Sequence, residues 1–170
     1  MPEPEAELHP AALDILAATP GVLRSMLAGT PDALLSTPGA EGWSPKDVVA
    51  HLLSIAPRSS LERVRLMLES DTPPIPNVDE EAILAASGMR SWPLARLLDA
   101  FDVERGERTA VLSRLTDEQF RRCGQHSVAG LISVADVINH VAYHDLLHIA
   151  QVAHLLAAPI EERRGAMRMF

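Results

Sequence analysis

The apolar residues of the chain recur with a helical period over four long stretches, which predict four long helices. The stretches are residues 8–28, 45–69, 93–115 and 134–157. Two prolines interrupt them: Pro20 is expected to kink the first helix or to restart it after Thr19, and Pro57 is expected to bend the second. Four amphipathic helices joined by small pieces are typical of a bundle. The predicted fold is therefore all-α, a four-helix bundle with short connecting helices.

Two of these helices carry clear start signals. Ser44 precedes Pro45 and Asp47, and Ser133 precedes Asp136 by three residues. In each case the serine hydroxyl can accept a hydrogen bond from the backbone N–H of the aspartate, and the aspartate carboxylate can accept one from the backbone N–H of the serine. A capping box is therefore predicted at the start of the second and of the fourth long helix.

The connections contain one short predicted helix and two linkers. The short helix is Glu80–Ser87, with Asp79 as its cap and Gly88 as its end. Residues 37–42 and 71–78 are predicted to be linkers, and three prolines are expected to exclude both helix and strand from the second. Because no stretch alternates apolar and polar residues for long, no sheet is expected.

Composition and charge narrow the class of protein. A chain of 170 residues is the usual size of one domain, predicted here to span 1–170 with a core over about 8–157. Apolar residues make up 47% of it and aromatics only 4%, so the core must be aliphatic. A net charge of −8 with no concentrated basic patch argues against nucleic-acid binding. The single cysteine, Cys123, excludes an internal disulfide framework. With no signal-like or membrane-spanning run, no membrane partner and a cytoplasmic location are expected.

The candidate chemistry lies in the histidines, of which the chain has seven. His144 and His148 are one helical turn apart and lie within the apolar stripe of the fourth helix, so both are expected to face the interior. His140 lies about 80° from the direction of His148 and is expected outside the site, as is His154. His51, among apolar positions of the second helix, is the natural third partner. Three imidazoles with an open fourth position can form a reactive metal site.

Hydrogen-bonded core histidines remain an alternative explanation of the same spacing. The HExxH motif of zinc proteases is absent, because Asp145 follows the first histidine, and so is the carboxylate pattern of di-iron bundles. Asp145 is expected to be exposed or ion-paired. Gln151 could orient a ligand but is read as a polar edge residue, and His126 is expected to be exposed in a loop. Trp43, just before a helix start, is expected to pack as a staple.

Several segments, taken in order, resemble the DinB-like family. They are Gly-Trp-Ser-Pro at 42–45, Val-Val-Ala-His-Leu at 48–52, and His-Val-Ala-Tyr-His-Asp-Leu-Leu-His-Ile-Ala-Gln-Val at 140–152. Linking patterns at 101–105, 115–118 and 126–134 also fit, so the resemblance covers about residues 8–157. It implies a four-helix bundle, frequently a homodimer, with a divalent metal ion, most often Zn²⁺ or Ni²⁺. Matched position by position, the ligands would be His51, His144 and His148.

The sequence departs from the family at one place. Members often carry an acidic residue about a turn after the helix-two histidine, whereas this chain has Leu-Leu-Ser-Ile-Ala-Pro at 52–57. No general base is expected there, and Asp145 is the only carboxylate expected beside the ligands. This casts doubt on base-catalysed hydrolysis but not on the metal site.

Three functions follow from these observations. The leading hypothesis is a metal-dependent enzyme that transfers a low-molecular-weight thiol to an electrophilic small molecule, because the family includes such S-transferases and a metal can hold a thiol as the nucleophilic thiolate. The second is a metal-dependent hydrolase. The third is a non-enzymatic dimeric module that binds metal or ligand.

Overall fold

The computed structural model describes residues 7–169, except for the side chains of residues 58 and 59, so the ends of the predicted 1–170 domain lie outside the described residues. Four long helical stretches dominate it: α1 (Ala12–Leu27), α3 (Pro45–Ala56) with α4 (Glu62–Glu69), α6 (Leu94–Leu112) and α8 (Val134–Glu161). Short helices α2 (Asp32–Leu35), α5 (Glu80–Ser87) and α7 (Asp117–Phe120) lie between them. The protein is a four-helix bundle with short connecting helices, as predicted.

The bundle is held by packing between helices that are distant in sequence. α1 packs against α6 and α8, and α3 packs against both α6 and α8. The buried apolar residues are Ala, Val, Leu, Ile and Met, with Phe101 the one aromatic among them in the described part of the chain. No helix in residues 7–169 is long and apolar enough to cross a membrane.

Both predicted capping boxes form. The Ser44 hydroxyl accepts from the backbone N–H of Asp47 at 3.2 Å, and the Asp47 carboxylate accepts from the backbone N–H of Ser44 at 2.9 Å. The Ser133–Asp136 box has the corresponding distances of 3.0 and 2.9 Å. These caps satisfy N–H groups that have no partner inside the helix. They fix the starts of the two helices that carry the candidate ligands.

The two helix prolines act differently. Pro57 begins a π-helical turn over Pro57–Leu61, through which α3 continues into α4, so the regular α-helical pattern is interrupted where the bend was expected. Pro20 is buried within α1, which runs through it from Ala12 to Leu27 rather than restarting after Thr19. The Thr19 hydroxyl donates to the carbonyl of Ile15, four residues back, at 2.8 Å.

A small sheet is present, so the expectation of no sheet was wrong. β1 (Pro74–Ile75) runs parallel to β2 (Cys123–His126), which pairs antiparallel with β3 (Gly130–Ser133). The prolines do not prevent this pairing, because the partner strand supplies the N–H donors: Gln125 donates to the Pro73 carbonyl at 2.8 Å and Ser127 donates to the Ile75 carbonyl at 3.0 Å. Strands this short leave too little alternation for a sequence pattern to reveal them.

Candidate metal centre

Three histidines converge inside the bundle. His51, only 2% exposed, lies on α3, and the half-buried His144 and His148 lie one turn apart on α8. The Nε2 atom of His144 lies 3.5 Å from that of His51 and 3.1 Å from that of His148. The three rings therefore present the same nitrogen to one point, as the sequence pattern predicts.

The spacing of these nitrogens suits one divalent ion. Two ligands at about 2.1 Å from an ion and at a tetrahedral angle lie about 3.4 Å apart. The two distances from His144 fall on either side of that value, and one ligand atom from each of the three residues lies within 4.8 Å of the others. Three unprotonated nitrogens this close repel one another unless a cation or a proton lies between them. The donor set therefore fits a metal ion.

Gln151 fixes the orientation of one of these rings. The His148 Nδ1–H donates to the Gln151 Oε1 at 2.7 Å, because the amide oxygen can only accept. The proton is then on Nδ1, and the Nε2 lone pair faces His144. A metal-binding histidine is commonly held in this way by an acceptor on its other nitrogen. The contact fits the alternative that Gln151 orients a ligand better than its interpretation as a polar edge residue.

Burial keeps two of the imidazoles, those of His51 and His148, in the form that binds metal. Desolvation, reinforced by the neighbouring His148, lowers the pKa of His51 to about 4 from its ordinary 6.5. Desolvation also lowers the pKa of His148, and His144 adds to the effect. Both rings are therefore neutral at pH 7, with lone pairs available to a cation.

A carboxylate lies at the cluster, so the expectation that only Asp145 would be near the ligands was wrong. Glu80, in the first turn of α5, places its Oε2 3.4 Å from the His51 Nε2 and 3.6 Å from the His144 Nε2. Polar contact with the His144 imidazole holds the pKa of Glu80 below its ordinary value, against the opposing effect of burial. Glu80 is therefore ionised at neutral pH and can accept a proton.

Trp43 forms a wall of the cluster in addition to packing on the core. Its ring meets the His51 ring edge-on, with centroids 4.9 Å apart, and lies nearly parallel to the His148 ring at 6.3 Å. Trp43 is also part of the apolar core around α3. The residue expected only to staple a helix start thus also encloses two of the candidate ligands.

The other candidate residues lie outside the cluster. His140 is exposed, with its ring centroid 6.2 Å from that of His144, and it is not among the three convergent residues. Asp145 is buried and pairs with the buried Arg105 of α6 at 3.1 Å, so the ion-paired alternative is correct.

His126 is buried at the end of β2, not exposed in a loop. Its Nδ1 accepts hydrogen bonds from the backbone N–H groups of Val128 and Ala129.

A half-enclosed cavity of about 330 Å³ lies beside the cluster. Glu80 and His140 form part of its lining, and both also line a smaller cavity that includes His144. A molecule in the larger cavity can therefore reach the carboxylate that contacts the histidines.

The fold and the site together define a helical bundle with three converging histidines in its interior. Residues 15–152 match the DinB superfamily, and the chain belongs to that superfamily. This confirms the family that the sequence segments resemble.

Two bacterial relatives carry the provisional name of metal-dependent hydrolase. YfiT of Bacillus subtilis is 28% identical over 145 residues, covering 84% of this chain and 81% of YfiT. OB0413 of Oceanobacillus iheyensis is 29% identical over 125 residues, covering 71% of this chain and 69% of its own length. The solved structure of YfiT, described as having an unusual four-helix bundle topology, superposes with a TM-score of 0.79 at 26% identity. The superposition covers 96% of this chain and 94% of YfiT.

Proposed function

We propose that this protein is a metal-dependent hydrolase of a small molecule. His51, His144 and His148 hold one divalent ion, Zn²⁺ or Ni²⁺, and Glu80 is the general base. The observation that carries the proposal is the position of the Glu80 carboxylate, 3.4 and 3.6 Å from two of the candidate ligand nitrogens. The provisional hydrolase names of YfiT and OB0413 support the same reaction class.

The chemistry divides between the ion and the side chains. When bound, a divalent ion supplies a Lewis acid that acidifies water and polarises the bond to be broken. The ionised Glu80 accepts the proton of a water molecule within hydrogen-bond reach and later returns it to the leaving group. Gln151 holds the His148 ring, and Trp43 shields two of the histidines from bulk water.

Replacing the proposed base separates catalysis from metal binding. In Glu80→Gln the amide cannot accept a proton as a base. For an ester or amide that the unaltered protein hydrolyses, kcat should therefore fall about a hundredfold or more. Zinc content, measured by atomic emission, should stay near one ion per chain. The matched control is Glu81→Gln, because Glu81 is next on α5 and pairs instead with Arg90 at 2.8 Å. Unchanged kcat in Glu80→Gln would remove Glu80 from the mechanism.

The proposed ligands are tested by metal stoichiometry. His144→Ala or His148→Ala should abolish stoichiometric metal, because only two imidazoles would then face the ion. His154→Ala should retain it, since His154 is exposed on the same helix. The protein should be purified without a histidine tag. Equal metal content in all three variants would contradict the assignment.

Thiol transfer to an electrophile is the second candidate function. The cavity of about 330 Å³ beside Glu80 gives room for a second reactant. The cysteine of the chain, Cys123, lies on β2 and is not part of the histidine cluster, so the thiol of this reaction would be an external molecule. A bound metal can hold an external thiol as thiolate, so the protein need not supply a cysteine. Metal-dependent conjugation of monochlorobimane with cysteine, glutathione or coenzyme A, without ester or amide hydrolysis, would favour this function. If EDTA leaves every activity and ligand affinity unchanged, the histidine site is structural or empty, and neither metal-dependent reaction holds.

A further inference from the structure

The cavity beside the histidine cluster contains a charged side chain whose donors lack strong acceptors. Arg63, on α4, lines it together with residues of the β2–β3 turn and of the start of α8. The Arg63 Nε is buried with no hydrogen-bond partner, and one Nη2–H reaches the Pro76 carbonyl only at 3.5 Å. Within the described residues, Arg63 has no carboxylate at ion-pair distance. A guanidinium stays charged and offers five donors, so its position calls for an acceptor from a ligand.

A second donor lines the same cavity. The His126 Nδ1 accepts from the backbone N–H groups of Val128 and Ala129, at 3.2 and 3.1 Å. A neutral imidazole with Nδ1 as acceptor carries its proton on Nε2. Burial and the nearby charge of Arg63 both lower the pKa of His126, which keeps it in this neutral form. The His126 Nε2–H is thus a fixed donor.

The rest of the lining sets the kind of molecule that fits. Val128, Ile132 and Val137 give the cavity an apolar side, suited to an aliphatic body. Glu80 and Asp136 also line it, and their charges oppose a doubly charged group such as phosphate. A singly charged carboxylate matches the Arg63 fork with less repulsion.

We infer that this cavity binds a carboxylate-bearing substrate with an aliphatic body, its carboxylate held by Arg63 and His126. The bond that reacts then lies toward Glu80, which lines both this cavity and the smaller one at His144. Only the placement of the reacting bond toward Glu80 rests on the proposed hydrolysis. Binding of the carboxylate itself depends on the cavity alone.

The inference is tested by calorimetric titration of the zinc-loaded full chain with hexanoate, hexan-1-ol and butyl phosphate. Hexanoate should bind most tightly of the three. Arg63→Gln should weaken it about ten- to a hundredfold, the usual cost of a charged hydrogen bond. The hexanoate affinity of Arg63→Lys, which keeps the positive charge but loses the forked guanidinium donors, should lie between those of the unaltered protein and Arg63→Gln. The matched control is Arg65→Gln, because Arg65 lies on the same helix but is exposed and pairs with Glu69; its affinity should change less than twofold.

Two results of these titrations would overturn the inference, and a third would come from His148→Ala. One is hexanoate affinity that is unchanged in a folded Arg63→Gln; the other is tighter binding of butyl phosphate than of hexanoate. Titrating His148→Ala separates this site from the proposed metal chemistry. Binding that still depends on Arg63 in that background supports the inference, even if no hydrolysis or metal is found. Binding lost in His148→Ala but kept in Arg63→Gln places the carboxylate at the histidines and contradicts it.

Discussion

Gln151 is the residue whose contact says most about how the histidine cluster is tuned. Its amide oxygen accepts from the His148 Nδ1–H at 2.7 Å, which leaves the opposite ring nitrogen free to bind. Removing the acceptor lets the ring rotate and lets the proton move to Nε2. Side chains in this position commonly contribute ten- to a hundredfold to metal affinity.

We therefore predict that Gln151→Ala lowers zinc affinity about tenfold or more. Gln151→Glu, which keeps an acceptor, should retain or raise the affinity. Competition with a zinc-sensitive dye measures both, and His154→Ala serves as the control on the exposed side of α8. Affinity in Gln151→Ala equal to that of the unaltered protein would show that the hydrogen bond does not tune the ring.

At this scale the sequence predicts the histidines well and their neighbours poorly. His144 and His148 are one turn apart on one helix, so helical geometry alone places them together. Glu80 reaches the cluster from a short helix that follows a proline-rich connection, and no periodicity relates it to α3 or α8. Its direction depends on how that connection folds, so only the structure reveals it.

Among the elements, the β2–β3 hairpin depends on a titratable acceptor. The His126 Nδ1 accepts from two backbone N–H groups in the turn, and the pKa of His126 is lowered mainly by burial. The unfolded chain, with a histidine pKa near 6.5, therefore takes up this proton before the folded chain does. Stability contributed by His126 is complete above about pH 6.5 and is lost as the pH falls toward the folded pKa.

The expected result is a steeper loss of stability between pH 7 and pH 5 in the unaltered protein than in His126→Asn. The asparagine oxygen can accept but does not titrate. Urea unfolding at several pH values measures the difference in the free energy of unfolding. His154→Asn is the control, because that exposed histidine should leave the slope unchanged. Parallel pH profiles for the unaltered protein and His126→Asn would contradict the prediction.

The hairpin also shows why the sequence predicts the long helices but not the strands. The long helices have apolar periods and two capping boxes, which are local signals that the structure preserves. β1 is two residues long and pairs with a strand some 50 positions later, at Pro74 with Gln125 and Ile75 with His126. Such pairing depends on the folded chain bringing the segments together, so no window of sequence contains it.

For the whole molecule, the remaining prediction concerns its oligomeric state. The resemblance to the DinB-like family predicts a homodimer, and we propose that one 170-residue domain pairs with a second copy. Light scattering coupled to size exclusion should give twice the chain mass across a tenfold range of concentration. A monomer mass throughout would end the proposal.

The histidine cluster joins the first half of the chain to its last long helix, with 93 positions between His51 and His144. In the unfolded chain only His144 and His148 remain close, because they are four positions apart in sequence. All three histidines come together only after α3 and α8 have packed. A bound ion would therefore favour the folded state by mass action, by about 1.4 kcal/mol for each tenfold excess of free ion over its dissociation constant. The amount of folded protein in a cell would then follow the supply of metal, and a shortage of metal would lower the abundance of the protein as well as its activity.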